Sequence, residues 1–252
     1  MMQAALWVAL GTGFTFLMTV LGAGLVFFLA KEPCPRFQKA LLGFAAGVMT
    51  AASVWSLLIP AIEQAAEQGA GSGWLPAAVG LLLGAVFLAV LDGLLPRLQR
   101  GAAARSERQH AQALLMTAIT LHNVPEGMAV GLAFALAAQG ENPAGAAALA
   151  LGIGIQNFPE GAAIALPLRQ EGSLRAFRSG VLSGIVEPIF GVAAVLTAAA
   201  AAPLMPWLLS FAAGAMLYVT VEELIPQAHS RGGTCGFVAG FLVMMALDTA
   251  LG

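Results

Sequence analysis

The chain has 252 residues, of which 59% are hydrophobic and 10% charged, with a formal net charge of −2 and a mean hydropathy of +0.86. Soluble domains carry roughly 25% charged residues, so this chain lacks the charge to cover a water-facing surface, and most of it must face lipid. No nucleic acid is expected as a partner; the lipid bilayer is.

A membrane-spanning helix needs about 20 apolar residues. The chain divides into eight such stretches, predicted near 4–30, 38–66, 73–95, 112–138, 143–168, 173–201, 203–229 and 233–251. They are continuous runs rich in Ala, Leu and Gly, without the two-residue alternation of a membrane barrel, and Ala and Leu favour helix. The first run has no basic segment before it and is too long for a signal-peptide core, so it reads as a retained helix. Cys34 and Cys235 stand alone near helix ends, which indicates neither a disulfide framework nor a thiolate site. The expectation is an all-α membrane protein of eight transmembrane helices, one domain over 1–252 with a cytoplasmic loop at about 97–111.

The eleven basic residues fall in or beside the connections after spans 1, 3, 5 and 7, from Lys31, Arg36 and Lys39 to Arg231. The other connections have none. Basic residues stay on the cytoplasmic side, which predicts both termini outside, and the compact, Ala-rich chain suggests a cell inner (plasma) membrane.

The acidic residues divide differently. Asp92, Glu126, Glu160, Glu187, Glu222, Glu223 and Asp248 fall within or at the ends of apolar spans, and Glu63 and Glu67 at the outer end of span 2. A carboxylate inside a bilayer costs several kcal/mol unless it is paired, protonated or bound to a cation. No Lys or Arg lies deep in a span to pair with it, so an external cation is expected. Asp92 and Asp248 also read as helix-end residues that reach the interface, and Glu63 and Glu67 as a solvated face. Trp7, Trp74, Trp207 and Tyr218 include candidate interfacial anchors.

Span 4 contains Leu121-His122-Asn123-Val124-Pro125-Glu126-Gly127, and span 5 contains Ile155-Gln156-Asn157-Phe158-Pro159-Glu160-Gly161. The same frame, [His/Gln]-Asn-x-Pro-Glu-Gly, recurs 34 residues on, in a helix running the opposite way. His122 and Glu126 are i,i+4 and share a face, as do Gln156 and Glu160, with Asn123 and Asn157 beside them. Pro125 and Pro159 remove an amide hydrogen and crowd the carbonyl four residues back, predicting kinks, and apposed interrupted helices form the central site of many transporters. One imidazole with carboxylates and amides suits zinc or another mid-row divalent ion; Cd²⁺, Fe²⁺ and Mn²⁺ are alternatives. The ion is a substrate here. A metal-selective channel and an intramembrane metalloenzyme remain as other readings, although filters are commonly built in symmetric oligomers and no His-Glu-x-x-His pair occurs.

These two segments closely resemble the helix 4 and helix 5 signatures of the ZIP (Zrt/Irt-like) metal transporters, and Gly152 to Gly161 is worded like the GufA-type branch. The resemblance extends to Gly43-Phe44-Ala45-Ala46-Gly47, Ser53 and Ser56, Glu187-Pro188, Glu222-Glu223 with Pro226, and Asp248-Thr249-Ala250-Leu251-Gly252, which together cover nearly the whole chain. It implies helices 1–3 and 6–8 arranged around a central helix 4–5 pair, although no similarity between the two triplets is read from the sequence.

It also implies a two-metal centre bridged by Glu126 and Glu160. The first metal would take His122 and Gln156, with Met49 near it, and the second Asn123, Asn157 and Glu187. Glu63 and Asp248 match an outer entrance; Asp92, Glu222 and Glu223 match a cytoplasmic exit. The resemblance further implies zinc uptake toward the cytoplasm, and it leaves a homodimer open. Many family members have Asp where Asn157 stands, so the second site is expected to be weaker here. The 97–112 segment has only His110 where many members have a His-rich loop, and Glu222 stands where relatives often have His.

Overall fold

The computed structural model describes residues 2–28, 34–99, 107–138, 143–169, 172–200 and 202–251, and among these there is no strand. The helices are α1 (Met2–Gly24), α2 (Pro35–Ala52), α3 (Ile59–Glu67), α4 (Trp74–Gln99), α5 (Glu107–Ala137), α6 (Pro143–Leu168), α7 (Ser173–Gly184), α8 (Val186–Ala200), α9 (Met205–Val219), α10 (Ile225–Ala228) and α11 (Arg231–Leu251). Among the described residues, seven stretches are long and apolar enough to cross a bilayer: α1, α2–α3, α4, α6, α7–α8, α9–α10 and α11. The remaining long helix, α5, holds a shorter apolar part, Asn123–Ala137.

Two helices extend furthest beyond the predicted spans. α4 reaches Gln99 and α5 begins at Glu107, so 97–99 and 107–111 of the predicted loop are helical, and the positions between them lie outside the described residues. Hydropathy marks where a helix is apolar, whereas Glu, Arg and Gln outside the apolar stretch still favour helix.

The interruptions also differ from expectation. α5 and α6 run through Pro125 and Pro159 without a break; the other backbone bonds and neighbouring helices maintain a helix across one lost bond. The irregular turns lie elsewhere. α2 passes into α3 through a π-helical turn, Ser53–Leu58, and α9 into α10 through another, Thr220–Leu224. In each, the residue before a proline bonds five residues back, Ile59 N–H to the Val54 carbonyl and Ile225 N–H to the Thr220 carbonyl. Pro60 and Pro226 cannot donate to the carbonyls four residues before them, and a wider turn is one way to absorb that loss.

The matched π turns expose an internal repeat. Phe44-Ala45-Ala46-Gly47-Val48-Met49 and Leu58-Ile59-Pro60 correspond to Phe211-Ala212-Ala213-Gly214-Ala215-Met216 and Leu224-Ile225-Pro226. The sequence reading saw no such similarity. It was hidden because one register slips by a residue between the two halves of the motif.

Helix pairing follows the small residues. Apolar side chains gain little from leaving lipid for a helix interface, so close van der Waals contact must hold such helices together. A Cβ on Gly47 would lie 2.1 Å from the Phe237 carbonyl of α11, and one on Gly240 would lie 2.1 Å from the Phe44 carbonyl of α2. The counterpart seam joins α4 to α9, where a Cβ on Gly84 or Gly214 would lie 2.0 Å from the carbonyl of Phe211 or Leu81. α1, α5, α6 and α7–α8 pack mainly on one another, as do α2–α3, α4, α9–α10 and α11. The two groups touch through α5 against α9 and α6 against α2 and α11. α6 is the most enclosed span, at 76% buried, against 22% for α4 and for α11. The outer helices turn large apolar side chains such as Leu82, Leu83, Leu182, Leu196 and Leu242 outward, as a lipid-facing surface requires.

Gly47→Val, which would drive a branched side chain into the α11 backbone, is expected to destabilise the protein by about 2 kcal/mol or more. Gly13→Val, at a site with open space around the Cβ, is expected to leave the melting temperature in detergent nearly unchanged.

Candidate metal site

The repeated motif places its polar residues on α5 and α6 where these helices meet each other and α1, α7 and α8. Asn123, Glu126, Gln156, Asn157 and Glu160 are all buried, Glu126, Gln156 and Asn157 completely. Glycine permits this approach: a Cβ on Gly127 would lie 2.2 Å from the Glu187 carbonyl, and one on Gly161 would lie 2.1 Å from the Thr19 carbonyl. The two Pro-Glu-Gly glycines therefore seat α5 on α8 and α6 on α1, directly beside their glutamates.

Glu187 enters the same region from another break in the chain. α7 ends at Gly184 and α8 begins at Val186, because Pro188 cannot donate to the carbonyl of Gly184. Glu187 falls in the first turn of α8 and is fully buried. Glu126 lies within electrostatic reach of Glu160 and Glu187. Three carboxyl groups thus converge, and among the described residues no Lys or Arg is buried with them.

The amides are oriented in a consistent way. Gln156 Nε2 donates to Glu126 Oε1 at 2.5 Å. Asn123 Nδ2 donates to the Ser183 carbonyl at 2.8 Å, and Asn157 Nδ2 to the Thr15 carbonyl at 3.4 Å. Each amide spends its N–H on a neighbouring acceptor. The acceptors left without a hydrogen-bond partner among the described residues include Glu126 Oε2, Gln156 Oε1, Asn157 Oδ1 and Glu187 Oε2. All four are oxygens. Buried polar atoms are nearly always satisfied, and a group of oxygens lacking donors suits a cation.

His122 lies within α5, but its side chain is outside the described residues. No three His, Cys, Asp or Glu side chains among those described cluster closely enough to hold a metal by themselves. A metal here would draw on the amide oxygens and on His122. Met49 is fully buried within the apolar core, with the Thr220 hydroxyl 3.8 Å from its sulfur.

The outlying acids form two groups. A cavity of about 620 Å³ is lined by Ser56, Glu63, Gln64, Glu67 and Asp248 together with Trp55 and Leu136. Asp248 is buried and accepts a bond from the Ser56 hydroxyl at 2.7 Å, so it does more than reach the interface. Elsewhere, Asp92, Glu222 and Glu223 surround the Tyr218 hydroxyl, which lies 3.5 Å from Asp92 Oδ2. Tyr218 is therefore part of an acidic group, beyond the anchoring role read from sequence.

Sequence reasoning missed Thr15, Thr19 and Ser183. The Thr19 hydroxyl donates to Glu187 Oε1 at 3.2 Å, and the Glu187 carboxylate lies against Thr15 and Asn157 as well. A threonine in an apolar helix gives no signal of its own; only packing of α1 on α6 and α8 makes these hydroxyls neighbours of an acid.

A helical membrane protein with converging buried carboxylates and buried amide oxygens that lack a hydrogen-bond partner among the described residues has the features of metal-handling membrane proteins. The ZIP zinc transporter family model matches residues 97–248, and the chain belongs to that family. It is 39% identical to the zinc transporter GufA of Myxococcus xanthus, over 93% of this chain and 94% of that protein. It is 37% identical to the zinc transporter ZIP11 of Bos taurus, over 96% of each. It is 40% identical to the zinc transporter ZIPB of Bordetella bronchiseptica, over 98% of this chain and 82% of that one.

Binding to the folded state raises stability by RT ln(1 + [L]/Kd), about 2.7 kcal/mol at a hundred times Kd. Zinc is therefore expected to raise the melting temperature of the purified protein. Glu126→Ala should abolish that rise, and a chelator should reverse it in the unsubstituted protein.

Proposed function

We propose that this protein carries Zn²⁺ into the cytoplasm through the site between α5 and α6. The observation carrying this reading is the group of buried oxygen acceptors on α5, α6 and α8 that lack donors among the described residues. Membership of a family whose relatives are named zinc transporters supports zinc as the substrate. The family consists of transporters, so the metalloenzyme reading falls away.

The first metal position takes His122, Glu126, Gln156 and Glu160, with Met49 alongside. The second takes Asn123, Asn157 and Glu187 with the bridging glutamates. The cavity bearing Glu63, Glu67 and Asp248 is the outer entrance, and Asp92, Glu222 and Glu223 line the exit. The first three spans (α1, α2–α3 and α4) and the last three (α7–α8, α9–α10 and α11) are arranged about the α5–α6 pair as one domain. The correspondence of α2–α3 with α9–α10, and of their glycine seams to α11 and α4, supports that relation. Rocking of one helix group against the other would open the site to each side in turn. Metal release requires the carboxylates to exchange metal for water or protons, which makes rates depend on pH. The distribution of basic residues supports an inner-membrane orientation with both termini outside.

In proteoliposomes, zinc uptake should saturate with concentration, and Glu160→Ala should reduce it to background. Uptake rising linearly and following membrane potential would mark a channel instead. Orientation is tested with Cys34, which is exposed. With Cys235→Ala in place, a membrane-impermeant maleimide should label Cys34 from the cytoplasmic side alone.

A further inference from the structure

We infer that Thr19 of α1 is a specificity-determining positioning residue, which restricts Glu187 to ligation through one oxygen and so biases the second metal position against larger, oxygen-preferring divalent ions. The inference rests on the metal-transport reading above and concerns a residue outside the repeated motif.

Thr19 is 1% exposed and Glu187 fully buried. The Thr19 hydroxyl has a single hydrogen and two acceptors in range, the Glu187 Oε1 at 3.2 Å and the Thr15 carbonyl at 3.4 Å. Hydrogen bonds to charged acceptors are about twice as strong as neutral ones, so the carboxylate takes it. Thr15 lies against the same carboxylate but directs its own hydroxyl to the Thr12 carbonyl at 3.0 Å, so the hydroxyl of Thr19 is the one placed in hydrogen-bond geometry to Glu187 Oε1. Oε2 of Glu187, by contrast, has no hydrogen-bond partner among the described residues. The two oxygens of one carboxylate are thus made unequal, one held by a hydroxyl and the other without a hydrogen-bond partner among the described residues, in a carboxylate that lies within electrostatic reach of Glu160.

This asymmetry has a consequence for coordination. Zinc is content with four ligands, whereas all-oxygen octahedral surroundings suit Mn²⁺ and related ions. A carboxylate free to turn both oxygens inward adds a ligand without adding a residue. By occupying Oε1, Thr19 keeps the ligand number low. Position also favours the arrangement, since the Thr19 carbonyl is the surface on which Gly161 packs. The hydroxyl is therefore held in register with the α6 motif by the backbone itself.

The test is Mn²⁺ competition against zinc uptake by the full chain in proteoliposomes. Thr19→Val is expected to lower the Mn²⁺ concentration that halves zinc uptake by about tenfold, equivalent to about 1.4 kcal/mol, near the lower end for a hydrogen bond to a charged group. Thr19→Ser should behave as the unsubstituted protein. In a Glu187→Gln background, Thr19→Val should cause no further change, which a merely structural role in α1 packing would not produce. Thr19→Ala removes the hydroxyl without adding bulk and carries the same expectation if the valine variant does not insert. Unchanged Mn²⁺ sensitivity in both variants, or an equal shift in the Glu187→Gln background, would overturn the inference. A Glu126→Ala protein that still takes up zinc would instead refute the α5–α6 site on which the inference rests, and an unsubstituted protein that takes up none would refute the transport reading.

Discussion

The structure depends on one electrostatic constraint: carboxylates buried within a bilayer-spanning bundle that supplies them no buried Lys or Arg among its described residues. Elsewhere a protein meets such a cost by pairing acids with bases or by moving them to water. Here only neutral donors meet them. Gln156 donates to Glu126 and Thr19 to Glu187, while Asn123 and Asn157 spend amide hydrogens on the Ser183 and Thr15 carbonyls. Buried oxygens without a hydrogen-bond partner remain among the described residues, an arrangement that is costly when empty of positive charge and favourable when a cation is present.

Close helix approach makes that arrangement attainable. Gly127 and Gly161 follow the motif glutamates immediately, and each lets its helix rest on a neighbour's backbone within a distance a Cβ would forbid. The same device recurs at Gly47, Gly240, Gly84 and Gly214, far from the acids. It has a different consequence there, joining α2 to α11 and α4 to α9 within the second helix group. Prolines divide along similar lines. Pro125 and Pro159 sit in helices that continue through them, whereas Pro60, Pro188 and Pro226 coincide with the π turns and the α7–α8 break. A proline signals a lost hydrogen bond; whether the helix absorbs it, widens or stops depends on what packs beside that turn.

Much of the site was readable in advance because charge is expensive in lipid. Glu126, Glu160 and Glu187 stood out against apolar runs, and the repeated frame drew in Gln156, Asn123 and Asn157. In the structure each of these residues is buried. Thr15, Thr19 and Ser183 did not stand out, since a hydroxyl is cheap to place in a helix where it can bond the preceding turn. Tyr218 gave no such signal for a related reason: an aromatic with a polar end reads as an interfacial anchor, and only the tertiary structure adds its hydroxyl's bond to Asp92. The internal repeat escaped notice because Phe44–Met49 and Leu58–Pro60 match their counterparts in registers that differ by one residue.

The sequence by itself determined that this is a helical membrane protein, where most of its spans lie, and which acids fall within or at the ends of them. Those properties follow from the cost of exposing polar groups to lipid, which each residue carries wherever the chain goes. Tertiary structure decided which oxygens face one another, which amide hydrogens are spent elsewhere, and that a hydroxyl of α1 holds one side of Glu187. These depend on distances of a few ångströms between residues far apart in the chain, and no local pattern encodes them.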